Sequence, residues 1–240
     1  MAKYKDATKK SIENTYKKYG LKPTIIIAEK MLENTDYKAD PLFYSDVNGE
    51  ICESVLEVMI RDYMKKHEYT DWYISTGLVI QDPDNPDYLT ELDVTVFTPK
   101  RVYMFECKSY GGDKRVIHKG TIAVKNRKTD VFDQHLKHLN LLNKNIERCI
   151  VKRYENISPY RLALFSFSLG GIDDQREDKF KRKFPVLTYK NVLDIFDNYN
   201  DLPVQWNMNA VKRIIGVFEK HSEKLTKKHL AFVKSIHGNS

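Results

Sequence analysis

The sequence predicts a mixed α/β fold, in which a central sheet is flanked by helices and extended by helical segments at its N- and C-terminal ends. Three observations lead to this prediction. Helical and strand-like patterns alternate along the chain, two of the strand-like runs are joined by a short turn, and 41% of the 240 residues are hydrophobic. That share is enough for a buried core and excludes a disordered chain.

The first part of the chain is predicted to be helical. Residues 1–35 have a polar helical pattern, whereas residues 39–48 favour a loop because they combine Pro41 with several short polar side chains. The next helix is expected to begin near Asn48 and to end near His67. Its apolar residues recur at the spacing of a helix that faces a core: Cys52, Val55, Leu56, Met59, Ile60 and Tyr63.

Three strand-like runs follow, at residues 72–80, 91–97 and 102–108. The last two are joined by a four-residue segment that has Pro99 in the position a β-turn favours. These two runs are therefore predicted to form a β-hairpin.

The rest of the chain returns to alternating patterns. A helix is predicted over residues 130–150, and strands over residues 161–169 and 186–189, with a basic segment at residues 176–183 between them. Two helices close the chain, the last of them rich in lysine and arginine. We expect a helical extension at residues 1–44, a core at residues 45–170 and a basic, mostly helical segment at residues 171–240 that packs on the core.

Charge and cysteine content narrow the class of protein. Lysine and arginine number 40 against 33 aspartate and glutamate, and the net charge of +7 favours a polyanion partner, most commonly nucleic acid. The start of the chain lacks a secretory-signal pattern, and no apolar run is long enough to cross a bilayer. Cys52, Cys107 and Cys149 lack metal-binding or disulfide spacing, so we expect a reducing cytoplasm and no membrane partner.

The hairpin carries the candidate chemistry. If its turn is centred after Pro99, the numbers of facing residues sum to 199, and Asp93 faces Glu106. Alternation then places Glu91, Asp93, Glu106 and Lys108 on one face. The other face is apolar and consists of Leu92, Val94, Val96, Tyr103, Phe105 and Cys107.

Two facing carboxylates repel each other, because their Cβ atoms are about 4.5–5.5 Å apart. The repulsion is relieved by a shared proton or by a divalent cation such as Mg²⁺, which prefers oxygen ligands. On the preceding helix, Glu53 lies at the border of the apolar stripe, whereas Glu50 and Glu57 point further out. A solvated hairpin with a weak Glu91–Lys108 ion pair remains the alternative.

Five segments, in order, resemble motifs of the nuclease-related domain (NERD) family, a branch of the PD-(D/E)XK nuclease superfamily. They are Gly49–Ser54, Glu91–Asp93, Glu106–Gly112, Asp133–His138 and Leu162–Ser166. The resemblance covers residues 45–170, with Cys52 standing where the family more often has glycine. It implies a restriction-endonuclease-like fold in which Asp93, Glu106 and Lys108 form the catalytic signature, supported by Glu53 and Gln134.

These observations together predict a Mg²⁺- or Mn²⁺-dependent nuclease that acts on nucleic acid, with DNA favoured over RNA as the substrate. Asp93 and Glu106 are expected to bind the metal with help from Glu53 and the backbone carbonyl of Cys107. Lys108 is expected to orient the attacking water and to stabilise the charge that develops on the phosphate.

Other interpretations stay open at this point. The chain could be a non-catalytic nucleic-acid-binding module with a vestigial nuclease site, or a plain interaction domain. His135 and His138 are spaced as a metal pair could be, although such histidines more often lie at the surface or support other groups. The basic segment at residues 176–183 could contact phosphates or be solvated. The oligomeric state is open, a homodimer included.

Overall fold

The computed structural model describes residues 2–33, 41–109, 114–124, 127–149, 160–167, 172–205, 209, 212–213, 215–218, 224–229 and 231. The helices are α1 Ala2–Tyr19, α2 Leu21–Glu33, α3 Pro41–Lys66, α4 Val131–Cys149 and α5 Asp178–Lys183. The strands are β1 Tyr73–Gln81, β2 Leu89–Phe97, β3 Val102–Lys108, β4 Lys114–Ile117, β5 Thr121–Val124, β6 Arg127–Asp130, β7 Tyr160–Ser166, β8 Ile172–Asp174 and β9 Val186–Leu187. Short 3₁₀ helices cover Val192–Phe196 and Tyr199–Asp201.

The predicted fold class is confirmed. A five-stranded sheet has the order β1-β2-β3-β7-β9, and its first two pairs are antiparallel whereas its last two are parallel. Helices cover both faces of this mixed sheet, as in a restriction-endonuclease-like fold. None of the helices in the described residues combines the length and the apolar composition needed to cross a bilayer.

Two apolar clusters lie on opposite faces of the central sheet. On one face, β-strand residues such as Val94 and Phe105 pack with α1, α2 and α3. On the other face, residues such as Met104 and Leu164 pack with α4. Because β3 alternates between these clusters, Glu106 and Lys108 belong to the α4 face and Cys107 to the α3 face.

A second sheet was not predicted. It has four strands in the order β6-β5-β4-β8, and each strand has only three or four residues. Segments this short give too few side chains for a period-two pattern to stand out in the sequence.

The hairpin register is confirmed in four pairs, from Val94 facing Phe105 to Phe97 facing Val102. One apolar position departs from the predicted alternation, since Leu92 packs in the α4 cluster instead of joining Val94. The same change of face separates Ile74 from Leu78 on β1. The change of face on β1 occurs at Gly77, whose φ of +60° is a conformation that glycine adopts readily.

Helix α3 is longer and more deeply buried than predicted. It begins at Pro41 rather than near Asn48, because proline is well suited to the first turn of a helix. The prediction that Glu50 and Glu57 point outward was wrong, since both are buried. Helix α1 packs over α3, and Lys9 on α1 forms an ion pair with Glu57 at 2.8 Å.

The basic segment at residues 176–183 is not a uniform phosphate-binding surface. Arg176 is buried and forms an ion pair with Asp174 at 2.7 Å, and its guanidinium also donates to the backbone oxygen of Lys119. Lys179 forms an ion pair with Glu177. Arg176 therefore ties β8 to the turn after β4 instead of facing solvent.

Replacing Gly77 with alanine should destabilise the protein by about 1–2 kcal/mol, the cost of a left-handed conformation for a residue with a Cβ atom. The added Cβ would also lie 3.1 Å from Glu91 Oε1. Urea denaturation followed by circular dichroism measures the change.

Gly49→Ala is the matched control. Gly49 lies inside α3 with open space around it, and alanine is favoured there by about 0.5–1 kcal/mol. Equal effects of the two substitutions would contradict a specific backbone role for Gly77.

Candidate active site

The site lies where β2 separates from β3. The last paired residues are Val94 and Phe105, and beyond them the Asp93 side chain takes over the contact between the strands. Its Oδ2 accepts a hydrogen bond from the backbone N–H of Cys107 at 2.7 Å. Asp93 is thus held next to Glu106 by the backbone N–H of Cys107, although the ladder ends one pair before the predicted Asp93–Glu106 pair.

Glu106 lies at the centre of the cluster and is 1% exposed. Strand β3 is paired with β7 at this position, where Glu106 faces Leu164, so its backbone is fixed inside the sheet. Lys108, two residues further along the same face, donates from Nζ to Glu106 Oε1 at 2.6 Å. Asp93, Glu106 and Lys108 are therefore brought together in one site.

Two histidines from α4 complete the surroundings of Glu106. Nδ1 of His138 lies 3.4 Å and Nδ1 of His135 lies 3.6 Å from Glu106 Oε2. Both histidines are buried, so a surface location is excluded.

The sequence held a signal for this burial. The buried residues of α4 are Val131, Phe132, His135, His138, Leu141, Leu142 and Ile146. They follow a helical spacing of three or four residues only when the two histidines are included. Leu136 and Leu139, which a stripe of apolar residues alone would include, are only partly buried.

The two carboxyl groups have opposite pKa shifts. Burial and the neighbouring Glu106 carboxylate raise the pKa of Asp93 to about 7, although Lys108 and the Cys107 N–H act against this. Burial also acts to raise the pKa of Glu106, but His135, His138 and Lys108 outweigh it and hold that pKa well below its usual range. Without a metal and below about pH 7, the pair therefore holds a proton on Asp93 and a negative charge on Glu106.

Glu53 approaches the site from α3 and is half-buried. Its charge acts on Cys107: burial, the Cys52 thiol and the carboxylates of Asp93 and Glu53 all raise the pKa of the Cys107 thiol. The Cys107 side chain itself packs in the α3 cluster, so only its backbone reaches the site.

Gln134 is half-buried on the first turn of α4, next to His135. Within the described residues, its side chain makes no hydrogen bond to Asp93, Glu106 or Lys108. It lies on the helix that supplies the two histidines.

This arrangement suits the binding of a divalent cation. Two carboxyl groups and a lysine converge at a strand end, and the repulsion between Asp93 and Glu106 raises the pKa of Asp93. A cation between the two carboxylates would relieve this repulsion. The oxygen donors of Asp93 and Glu106 are the kind that Mg²⁺ and Mn²⁺ prefer.

Comparison with known proteins gives one match. Residues 53–166 match the family model described as a nuclease-related domain. Neither a search of curated proteins nor a search of solved structures found a match. The matched range includes every residue of the cluster described above, from Glu53 on α3 to His138 on α4.

The contribution of Asp93 to the stability of the metal-free protein should fall as the pH rises from about 4 to about 7. The pKa of Asp93 is raised from 3.8 to about 7 in the folded protein, so the folded protein holds a proton that the unfolded chain releases over this interval. Urea denaturation in EDTA, repeated across this pH range, measures the slope.

Asp93→Asn should remove that part of the slope, because asparagine does not titrate. Asp194→Asn, at an exposed position, is the control and should leave the slope unchanged. Parallel curves for the wild type and Asp93→Asn would contradict the raised pKa.

Proposed function

Residues 53–166 of this chain are a nuclease-related domain of the PD-(D/E)XK nuclease superfamily, and from this premise we propose that the protein is a metal-dependent nuclease that hydrolyses phosphodiester bonds in DNA. The observation that carries the proposal is the convergence of Asp93, Glu106 and Lys108 where β2 separates from β3. The match itself supports a nuclease-like hydrolase. The metal, the substrate and the roles of individual residues are our inference.

Asp93 and Glu106 would hold the ion, which we take to be Mg²⁺ or Mn²⁺, with the Cys107 backbone carbonyl and Glu53 at its edge. When bound, the ion supplies charge that polarises the scissile phosphate and lowers the pKa of a water molecule. Binding would displace the proton from Asp93, since a cation relieves the repulsion that raises its pKa.

Lys108 is placed to act on the reacting groups. Its side chain is 19% exposed, so it borders both the buried Glu106 and the solvent from which a substrate arrives. We assign it the orientation of the attacking water and the stabilisation of negative charge on the phosphate. Gln134 would contact substrate or water from the first turn of α4.

Nucleic acid as substrate is supported by the distribution of charge. Exposed basic residues follow the core in the C-terminal segment: Lys212, Arg213, Lys224, Lys227 and Lys228. This segment packs on the α4 face through Ile215 and Phe218, and His229 lies 3.7 Å from Glu91 on β2. Basic side chains thus flank the same face of the sheet that carries Glu106.

The test is cleavage of plasmid, linear and single-stranded DNA, and of matched RNA, with Mg²⁺, Mn²⁺ or EDTA. We expect cleavage that needs the metal and favours DNA. Asp93→Asn and Lys108→Met should each lower the rate by at least about 100-fold, because each removes charge at the reacting phosphate. Lys66→Met, at an exposed lysine on α3, is the control and should cleave like the wild type.

Cleavage that persists in EDTA, or in both site variants, would overturn the proposal. Salt-sensitive DNA binding that Asp93→Asn leaves unchanged, without any cleavage, would indicate the non-catalytic binding module instead.

A further inference from the structure

A second set of donor atoms lies on the far side of Glu106 from Lys108. Nδ1 of His138 and Nδ1 of His135 lie 3.4 and 3.6 Å from Glu106 Oε2, and each of the three residues offers a ligand atom within 4.8 Å of those of the other two. The three side chains are buried, with 1%, 1% and 6% of each residue exposed in that order. Two of these three ligand atoms are imidazole nitrogens. In this respect the set differs from the carboxylate oxygens that Asp93 and Glu106 offer to a cation.

The tautomer of His135 follows from its other ring nitrogen. Nε2 lies 3.0 Å from the backbone oxygen of Met104, which can only accept, so the hydrogen is on Nε2. Nδ1 of the same ring faces Glu106 Oε2 at 3.6 Å and has no hydrogen-bond partner within the described residues. Metal-binding histidines are held in this way, with the second N–H donated to a backbone oxygen.

The distances favour a metal ion over a proton between these atoms. A charge-assisted N–H···O⁻ hydrogen bond has a length of about 2.7–2.9 Å. The observed separations from Glu106 Oε2 are 3.4 and 3.6 Å, and neither Oε2 nor His135 Nδ1 has a hydrogen-bond partner within the described residues. Ligand atoms about 2.0–2.1 Å from a tetrahedral ion stand about 3.3 Å apart.

We propose that Glu106 Oε2, His135 Nδ1 and His138 Nδ1 form a binding site for a divalent transition-metal ion of the Zn²⁺ type. Imidazole nitrogen favours Zn²⁺, Co²⁺ and Ni²⁺ over Mg²⁺, so this site and the Asp93 side of Glu106 select different ions. Three protein ligands leave the fourth tetrahedral position open. Glu106 is shared by both sites, and the transition-metal site does not require that the domain cleave nucleic acid.

Isothermal titration of the full chain with Zn²⁺ and with Mg²⁺ tests the proposal. We expect one Zn²⁺ ion to bind at least about 100-fold more tightly than Mg²⁺. The double variant His135→Gln/His138→Gln should lose that preference for Zn²⁺. His67→Gln, at an exposed histidine on the turn after α3, is the control and should bind Zn²⁺ like the wild type. Zn²⁺ binding that the double variant retains would overturn the proposal.

A measurement on the wild type guards against a variant that fails to fold. Long-range ¹H–¹⁵N correlation spectra should show the Nδ1 signals of two histidines shifting on Zn²⁺ addition, with the Nε2 hydrogen of His135 retained. Absence of these shifts at saturating Zn²⁺ would overturn the site.

Cleavage assays with Mg²⁺ on the same samples separate this site from the proposed nuclease activity. Asp93→Asn should lose cleavage and keep the Zn²⁺ preference. A wild type that cleaves DNA but has no preference for Zn²⁺ overturns the histidine site alone.

Discussion

The separation of β2 from β3 just beyond Val94 and Phe105 is the constraint on which the site depends. A continued ladder would have left Asp93 and Glu106 as a repelling cross-strand pair. Instead, Asp93 accepts the Cys107 N–H, and the two carboxyl groups take different states, one holding a proton and one charged. Lys108 compensates the charge on Glu106 from one side, and the two α4 histidines lie on the other side.

The hairpin could be predicted because its information is local. A four-residue turn and a period of two determine which side chains face one another, and they bring Asp93 and Glu106 together without knowledge of the rest of the fold. The change of face at Leu92 could not be predicted, because it depends on Gly77 in the neighbouring strand. The second sheet was missed because strands of three or four residues carry little pattern.

Burial of polar side chains was the other part that the sequence did not reveal. Glu57 appeared to point outward on an isolated α3, but α1 covers it and supplies Lys9 as its partner. His135 and His138 were expected either at the surface or in support of other groups, and they complete the buried stripe of α4. In each case the polar side chain is buried against a polar group from an element that is distant in sequence. Helical periodicity within one segment does not reveal such a partner.

The turn from Thr98 to Arg101 also limits how such a chain can change in length. Its Thr98 side chain accepts the backbone N–H groups of Lys100 and Arg101, so the loop is closed by its own hydrogen bonds. Inserting or deleting a single residue there would slip β3 by one position, turning Glu106 into the apolar layer beneath α3 and Cys107 toward α4. Insertions are better tolerated in the exposed loop around Asp84–Asp87, which precedes β2 and leaves the pairing of the two strands intact.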